Sequence, residues 1–318
     1  MANPNFPTQI TASIDAYKNI LASNVINNNA LLKAMQSRGN IIFVQGGNNF
    51  RKNITYAQNS TIQFQGATDT IDTTVQNEFT SVTFAPKLIT GSTTTTDVEI
   101  LQNRGSAAII NLVKERLKNL NDSMKNKIGS ALYGDGTADA GQSFGGLQLL
   151  VADDPTTGTV GGVDRSLYPI WRNQIYDFSV EGVTPSVTTF KDSMNTMFLR
   201  CQVQEGELPD LILADAKYYS FYENSSQQIQ RIATADEGNI GYATLKYKNQ
   251  DVVYDPNCPA EHMYFINTKH VFFEHLTENL FKILDTVRPF NQLVYNTPVA
   301  LFGNLTIDNS RVHGVMHA

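Results

Sequence analysis

Histidine and cysteine side chains are the residues of this sequence best suited to metal chemistry, and all five histidines lie after residue 261. Cys258 and His262 are four residues apart, and His270 and His275 are five apart. A structural zinc ion takes four ligands in tetrahedral geometry. Only the Cys258–His262 spacing suits half of such a site, and no second pair matches it. We therefore expect ordinary surface or core histidines, with no metal and no cofactor.

Catalytic motifs are absent from the sequence. Gly158, Gly161 and Gly162 resemble a phosphate-binding loop, but the lysine and the helix start that such a loop requires do not follow. Cys201 has no local signature of a nucleophile. Two cysteines are too few for a disulfide framework, so we expect two free thiols, as in a protein made in a reducing cytosol. The sequence predicts no enzyme.

One compact group of charges surrounds the only tryptophan. Asp164, Arg165 and Arg172 flank Trp171. Such a group can be catalytic, form a structural ion pair or make a contact between subunits. Because buried charges need partners and arginine suits pairing with carboxylates, we expect a structural or interface ion pair.

A long amphipathic helix is predicted over residues 104–132. Apolar residues recur there at spacings of three and four, which is typical of one buried helix face; they are Ile109, Val113, Leu117, Leu120, Met124, Ile128 and Ala131. Six basic and two acidic residues leave this segment with a net charge of +4. Two interpretations stay open: a solvated face, or a face that meets an acidic partner or an enclosed polyanion.

The preceding segment, residues 53–98, predicts an extended hairpin. It holds 13 threonines and five charged residues, four acidic and one basic, for a net charge of −3. Apolar and polar residues alternate around Ile54, around Ile62 and Phe64, and around Val82 and Phe84. A two-stranded hairpin is marginally stable alone in water. It therefore needs a surface to lie on, either in this chain or in another copy.

The remaining pattern predicts a mixed α+β chain. Helices are expected over residues 11–24, 29–36, 186–204 and 215–232. Strands are expected over residues 147–151, 211–214, 252–254, 263–266, 271–273, 281–284, 293–295 and 305–307.

Composition limits the function classes. Hydrophobic residues make up 41%, which suffices for a core and excludes wholesale disorder. The net charge of −6 argues against a protein whose main activity is wrapping nucleic acid. No apolar run approaches the ~18 residues of a membrane span, and residues 1–4 do not begin a secretory signal, so we expect no membrane association. The surface is rich in uncharged polar groups, with 30 Asn and 30 Thr.

The order of these parts resembles the major capsid proteins of tailed bacteriophages. A polar arm, a Thr-rich hairpin, a long helix, a glycine-rich connector and a compact α+β portion follow one another over nearly the whole chain. Short strings carry the closest similarity: 144–147 (FGGL), 159–166 (TVGGVDRS), 171–174 (WRNQ), 267–269 (NTK) and 303–306 (GNLT).

The resemblance implies the capsid fold that tailed phages share with herpesviruses. It implies an N-terminal arm over 1–52, an extended loop over 53–100, a peripheral domain over 101–182 and 273–299 that contains the spine helix 104–132, and an axial domain over 183–272 and 300–318. Some members crosslink a loop lysine to an asparagine of a neighbour. Lys87 is the only lysine of residues 53–98, but no catalytic acid is identifiable, so no crosslink is predicted.

The resemblance implies a structural protein that assembles with itself into hexamers and pentamers around double-stranded DNA. Portal, scaffold or decoration proteins and non-specific contact with packaged DNA are the expected partners, and the virion, assembled in the host cytoplasm, is the expected location. A cargo compartment of the same fold and another virion component are the alternatives. The candidate contacts between subunits are Ile62, Phe64, Val82, Phe84, Lys87, Lys114, Arg116, Lys118, Asp164, Arg165 and Arg172.

Overall fold

A computed structural model describes residues 25–27, 29–67, 70–102, 106–203, 207–226, 245–278 and 280–318. The helices of six residues or more are α1 (Ala30–Ser37), α2 (Asp97–Gln102), α3 (Ser106–Tyr133), α4 (Phe190–Cys201) and α5 (Ala216–Ser226). The strands are β1 (Ile41–Phe43), β2 (Phe50–Thr55), β3 (Phe79–Phe84), β4 (Lys87–Thr96), β5 (Thr159–Val160), β6 (Val163–Asp164), β7 (Gln174–Asp177), β8 (Leu211–Ala214), β9 (Leu245–Tyr247), β10 (Gln250–Tyr254), β11 (His262–Ile266), β12 (Val271–His275), β13 (Lys282–Ile283), β14 (Val294–Ile307) and β15 (Gly314–His317).

The long helix is present as predicted. Helix α3 has 28 residues, so its axis is roughly 42 Å long. Leu117, Met124, Ile128 and Leu132 are buried on one face, as the apolar spacing indicates. Strand β4 packs against this helix at Gly91, where a Cβ atom would come within 2.7 Å of the Leu120 side chain. Glycine thus lets strand and helix approach closely.

A five-stranded sheet is built around β14. Strand β4 pairs with one edge of β14 over ten residues, and β12 and β13 pair with the other edge. Strand β1 adds to β12 in parallel. The sheet, the spine helix α3 and the β2–β3 hairpin share one hydrophobic core.

A six-stranded sheet has the order β7-β15-β11-β8-β10-β9. All four residues of β8 are buried, as expected for a central strand covered on both faces. Helices α4 and α5 pack against this sheet in a second core rich in aromatic rings. Asp215 begins α5 as a cap, because its Oδ1 accepts a hydrogen bond from the Tyr218 amide at 2.8 Å.

Several predicted elements differ in the structure. Residues 147–151, predicted as a strand, form a helical turn over Leu147–Leu150, because short apolar runs suit either structure. The strands predicted at 293–295 and 305–307 are the two ends of β14. The helix predicted over 186–204 is α4, which is shorter at both ends. The helix predicted over 11–24, and the end of the one predicted over 215–232, lie outside the described residues.

The hairpin also differs from its predicted extent. It consists of β2 and β3, starts at Phe50 and closes through a loop, residues 56–78, that forms no strand in its described part. No strand forms around Ile62 and Phe64, whose side chains are both exposed. Strand β4 belongs instead to the five-stranded sheet. The predicted boundary at residue 299 falls inside β14.

Candidate functional site

The loop of residues 56–78 exposes apolar side chains that a single chain leaves uncovered. Phe64 is fully exposed, and Ile62, Ile71 and Val75 are 83%, 73% and 95% exposed. Isolated exposed apolar residues are common, but several on one thin segment indicate a contact surface. The loop therefore carries the strongest candidate surface for contact with another molecule.

Short-range polar bonds shape this loop. Asp72 accepts hydrogen bonds from the Thr74 hydroxyl at 2.6 Å and from its amide at 2.9 Å, and these bonds lower the pKa of Asp72. The Ser60 hydroxyl donates a hydrogen bond across the loop to Gln76 Oε1 at 3.0 Å. Such turns fix the backbone locally but cover no apolar surface.

Two of the predicted contact residues lie inside the chain's own core. Val82 is completely buried and Phe84 nearly so. Gly161 lies directly over them, since a Cβ atom on this glycine would be 2.9 Å from the Val82 Cβ. The Gly161 carbonyl also accepts a hydrogen bond from the Thr83 amide. Val82 and Phe84 are therefore not available to a neighbouring subunit, and this part of the prediction is wrong.

A buried ion pair fixes the base of the hairpin. Lys52 lies 2.7 Å from Glu274 of β12, with side chains 17% and 6% exposed. The Lys52 ammonium also lies 3.9 Å from the centre of the Phe272 ring, a favourable cation–π position. The pair therefore ties the hairpin to the five-stranded sheet.

A cleft opens beside the end of the hairpin that leads into the loop 56–78. Its volume is about 340 Å³, and Tyr56, Phe79, Tyr168, Ile170 and Trp171 contribute to its wall. Phe79 and Tyr168 are exposed at its rim, whereas Trp171 is buried and donates to the Val160 carbonyl at 3.0 Å. The walls offer aromatic surface and few charged groups.

The basic residues of the spine helix are only partly available for contact with another molecule. Arg116 is bound within its own chain by Glu99, the Thr94 carbonyl and the Thr95 hydroxyl. The Arg116 hydrogen bond, with two from Thr96, lowers the pKa of Glu99 to about 2. Lys118 is exposed, and the structure describes no more of Lys114 than its place on the helix. Arg116 thus holds the end of β4 against the helix.

Lys87 lies at the start of β4, outside the loop. Its Nζ donates to the Gly141 carbonyl at 2.5 Å, in the connector after the spine helix. This contact gives Lys87 a partner in its own chain.

No ion pair forms among the charges around Trp171 within the described chain, and their pairing with a neighbouring subunit stays a prediction. The three residues Asp164, Arg165 and Arg172 bond to main-chain or hydroxyl groups instead of to one another. Arg165 is buried and donates to the Leu150 carbonyl at 2.6 Å, and burial lowers its pKa to about 10. Arg172 donates to the carbonyls of Arg165 and Ser166. Asp164 accepts from the Ser166 hydroxyl and amide, which lowers its pKa. The group stabilises the connector under the hairpin.

The histidines and cysteines form no metal-binding group within the described part of the chain. Cys201 and Cys258 are both buried, and burial raises the pKa of each thiol, which disfavours the reactive thiolate. His262 contacts Asp153 at 3.1 Å. His270 lies between two carboxylates, Asp308 and Glu207.

The sequence reasoning missed a second apolar surface. Leu284, Val287, Phe290 and Leu293 are all exposed between β13 and β14, and Phe290 is completely so. These residues recur at every third position of an otherwise polar segment, a signal that the sequence contains.

No described helix has the length and apolar character needed to span a bilayer.

The sequence matches no protein-family model and no curated protein. Solved structures match over most of the chain. The cyanophage A-1(L) capsid asymmetric unit is 17% identical with a TM-score of 0.68, covering 88% of this chain and 90% of that one. The capsid of Myoviridae phage XM1 is 10% identical with a TM-score of 0.52, covering 89% and 90%. The holo-SrpI encapsulin complex from Synechococcus elongatus is 9% identical with a TM-score of 0.53, covering 89% and 86%.

At these identities the likeness establishes the fold. The chain has the α+β fold that these phage capsid proteins and this encapsulin share, which confirms the predicted fold class.

Proposed function

We propose that the protein is a major capsid protein that assembles with itself into an icosahedral phage head around double-stranded DNA. The observation that carries the proposal is the thin loop 56–78, whose apolar side chains stay exposed on a chain with the phage capsid fold. A loop of this kind gains stability only when another molecule covers it. In a shell of identical subunits, that molecule is a second copy.

The contact surface of each subunit comprises Ile62 and Phe64 of the loop, with Phe290 and its apolar neighbours as a second patch. Lys118, exposed on the spine helix, is available to a neighbour's acidic loop or to packaged DNA. Exposed charge pairs contribute only about 0–1 kcal/mol each. Apolar contacts, repeated at every subunit, therefore supply most of the shell's stability.

The two sheets correspond to the two domains of the subunit. The five-stranded sheet and the spine helix form the peripheral domain, and the six-stranded sheet forms the axial domain, which meets its symmetry mates in hexamers and pentamers. Sheet membership supports moving the boundaries: residues 271–272 and 300–307 join 273–299 in the peripheral domain, and residues 174–177 join the axial domain. Portal, scaffold or decoration proteins remain expected partners, and the virion the expected location.

Electron microscopy of the purified full chain, with no partner added, tests the proposal. Closed icosahedral particles or flat hexameric sheets support a shell protein. Monomers alone, over a wide range of protein concentration, contradict it. Because the encapsulin has the same fold, a cargo compartment is the second candidate. Nuclease-protected double-stranded DNA inside particles purified from infected cells favours the phage head, whereas an enclosed protein cargo favours the compartment.

A further inference from the structure

A polar cluster occupies the place where the chain crosses between the two sheets. Residues 267–270 connect β11 of the six-stranded sheet to β12 of the five-stranded sheet, and residues 308–313 lead back from β14 to β15. Residues 207–210, which lead into β8, lie beside the first of these connections, because the Asp210 amide donates a hydrogen bond to the Ile266 carbonyl. Side chains from all three segments meet at His270.

His270 bridges two carboxylates from distant parts of the chain. Its Nδ1 lies 2.7 Å from Asp308 Oδ1, and its Nε2 lies 3.1 Å from Glu207 Oε2. An ionised carboxylate only accepts hydrogen bonds, so each ring nitrogen must carry a proton to bond its partner. A neutral imidazole has one such proton and an imidazolium has two. The geometry therefore requires the charged ring.

The surrounding groups favour this charge state. Burial disfavours the charged ring, but the hydrogen bonds and charges of Asp308 and Glu207 outweigh burial and raise the pKa of His270. Hydrogen bonds from Lys269 and Asn267 and the contact with His270 lower the pKa of Glu207. The other titratable and charged groups of the described cluster are the buried His313, whose Nδ1 accepts the Asn267 amide, and the Asp210–Arg38 ion pair, which also binds Thr268.

We propose that His270 is a pH-sensitive latch between the two sheets. As an imidazolium it joins Glu207 to Asp308 and holds the segments 207–210, 267–270 and 308–313 together. When the ring loses a proton, one nitrogen presents a lone pair to a carboxylate, and that arm of the bridge opens. The latch belongs to the single chain, so it operates whether or not the chain forms a shell.

The pH range of the latch follows from its two partners. A histidine whose pKa rises on folding stabilises the fold fully below its ordinary pKa of 6.5, and the stabilisation disappears as pH rises through the folded value. Glu207 acts in the opposite sense, because its lowered pKa stabilises the fold above its ordinary value of 4.5. The latch is therefore closed between about pH 4.5 and 6.5 and opens above that range.

Hydrogen exchange of the unassembled full chain at pH 5.5 and 8.5 tests the latch, with rates corrected for intrinsic pH dependence. We expect protection of the peptides that cover 267–270 and 308–313 to fall at pH 8.5. The fall should be about tenfold for each unit by which folding raises the pKa of His270. In His270→Gln, which does not titrate, this fall in protection at pH 8.5 should be absent.

His262→Gln is the matched control, because His262 also contacts one carboxylate but at the opposite end of β11. It should keep the pH dependence at 267–270. Equal pH dependence in the wild type and His270→Gln overturns the proposal. If His270→Gln does not fold, NMR titration of His270 in the wild type decides: a midpoint above 6.5 supports the latch, and one at or below 6.5 overturns it. Neither result depends on particles being seen by electron microscopy.

Discussion

Replacing Phe64 by serine should weaken assembly without weakening the fold. The ring is completely exposed in the single chain, so its removal takes no contact from the core. Burying a phenylalanine side chain fully contributes about 1.5–3 kcal/mol. If a neighbouring subunit covers the ring, each subunit of Phe64→Ser loses about that much association free energy. Since 1.4 kcal/mol is a factor of ten, the protein concentration at which particles appear should rise by about 10- to 100-fold.

Light scattering over a concentration series measures this threshold, and chemical denaturation of the unassembled chain measures the fold. Gln63→Ser is the matched control, because Gln63 is exposed between Ile62 and Phe64 and its loss removes no apolar side chain. We expect Gln63→Ser to assemble like the wild type. The free energy of unfolding of both variants should lie within about 0.5 kcal/mol of the wild-type value. An assembly threshold for Phe64→Ser equal to that of Gln63→Ser would refute the assignment of this loop as a contact surface.

Three further predictions concern the fold itself. Lys52→Met should lower the free energy of unfolding, measured in urea, by about 3 kcal/mol because it leaves Glu274 charged and buried. The double variant with Glu274→Gln should recover part of this loss. Purely additive losses in the two single variants would contradict the pairing. Gly146→Ala should lower stability by about 1–3 kcal/mol, since its Cβ would lie 2.5 Å from two carbonyl oxygens at the end of the spine helix; an unchanged unfolding midpoint would contradict this close approach. Burial lowers the pKa of His313 to about 3, so the wild type should lose stability as pH falls from 6.5 towards 3. In His313→Asn, which keeps an acceptor for the Asn267 amide, this loss should be smaller in pH-dependent melting, and an equal loss would rule His313 out as its source.

The features that depend on neighbours along the chain were predictable from the sequence. The spacing of apolar residues predicted the spine helix to within one residue at its end. The helix predicted from residue 215 starts there, with Asp215 as its cap. These features follow from a local period or a local hydrogen bond, which residues a few positions apart determine.

Burial within the hairpin could not be predicted in this way. Ile62 and Phe64 show the same alternation as Val82 and Phe84, yet the first pair is exposed and the second is buried. The difference arises from Gly161, about 80 residues further along the chain, whose lack of a side chain lets the connector close over β3. Periodicity records which residues share a face of a strand, but not what lies against that face.

The residue pattern alone indicated the fold class, the long helix and a threonine-rich segment too poor in apolar residues to form a core. The packing of the chain directed the arginines around Trp171 to main-chain carbonyls instead of to a carboxylate. It also brought His270 to Glu207, 63 residues away, and so formed the bridge between the sheets. The physical reason is that local periods determine helices and strands, whereas the partner of a charged side chain is set by how those elements pack.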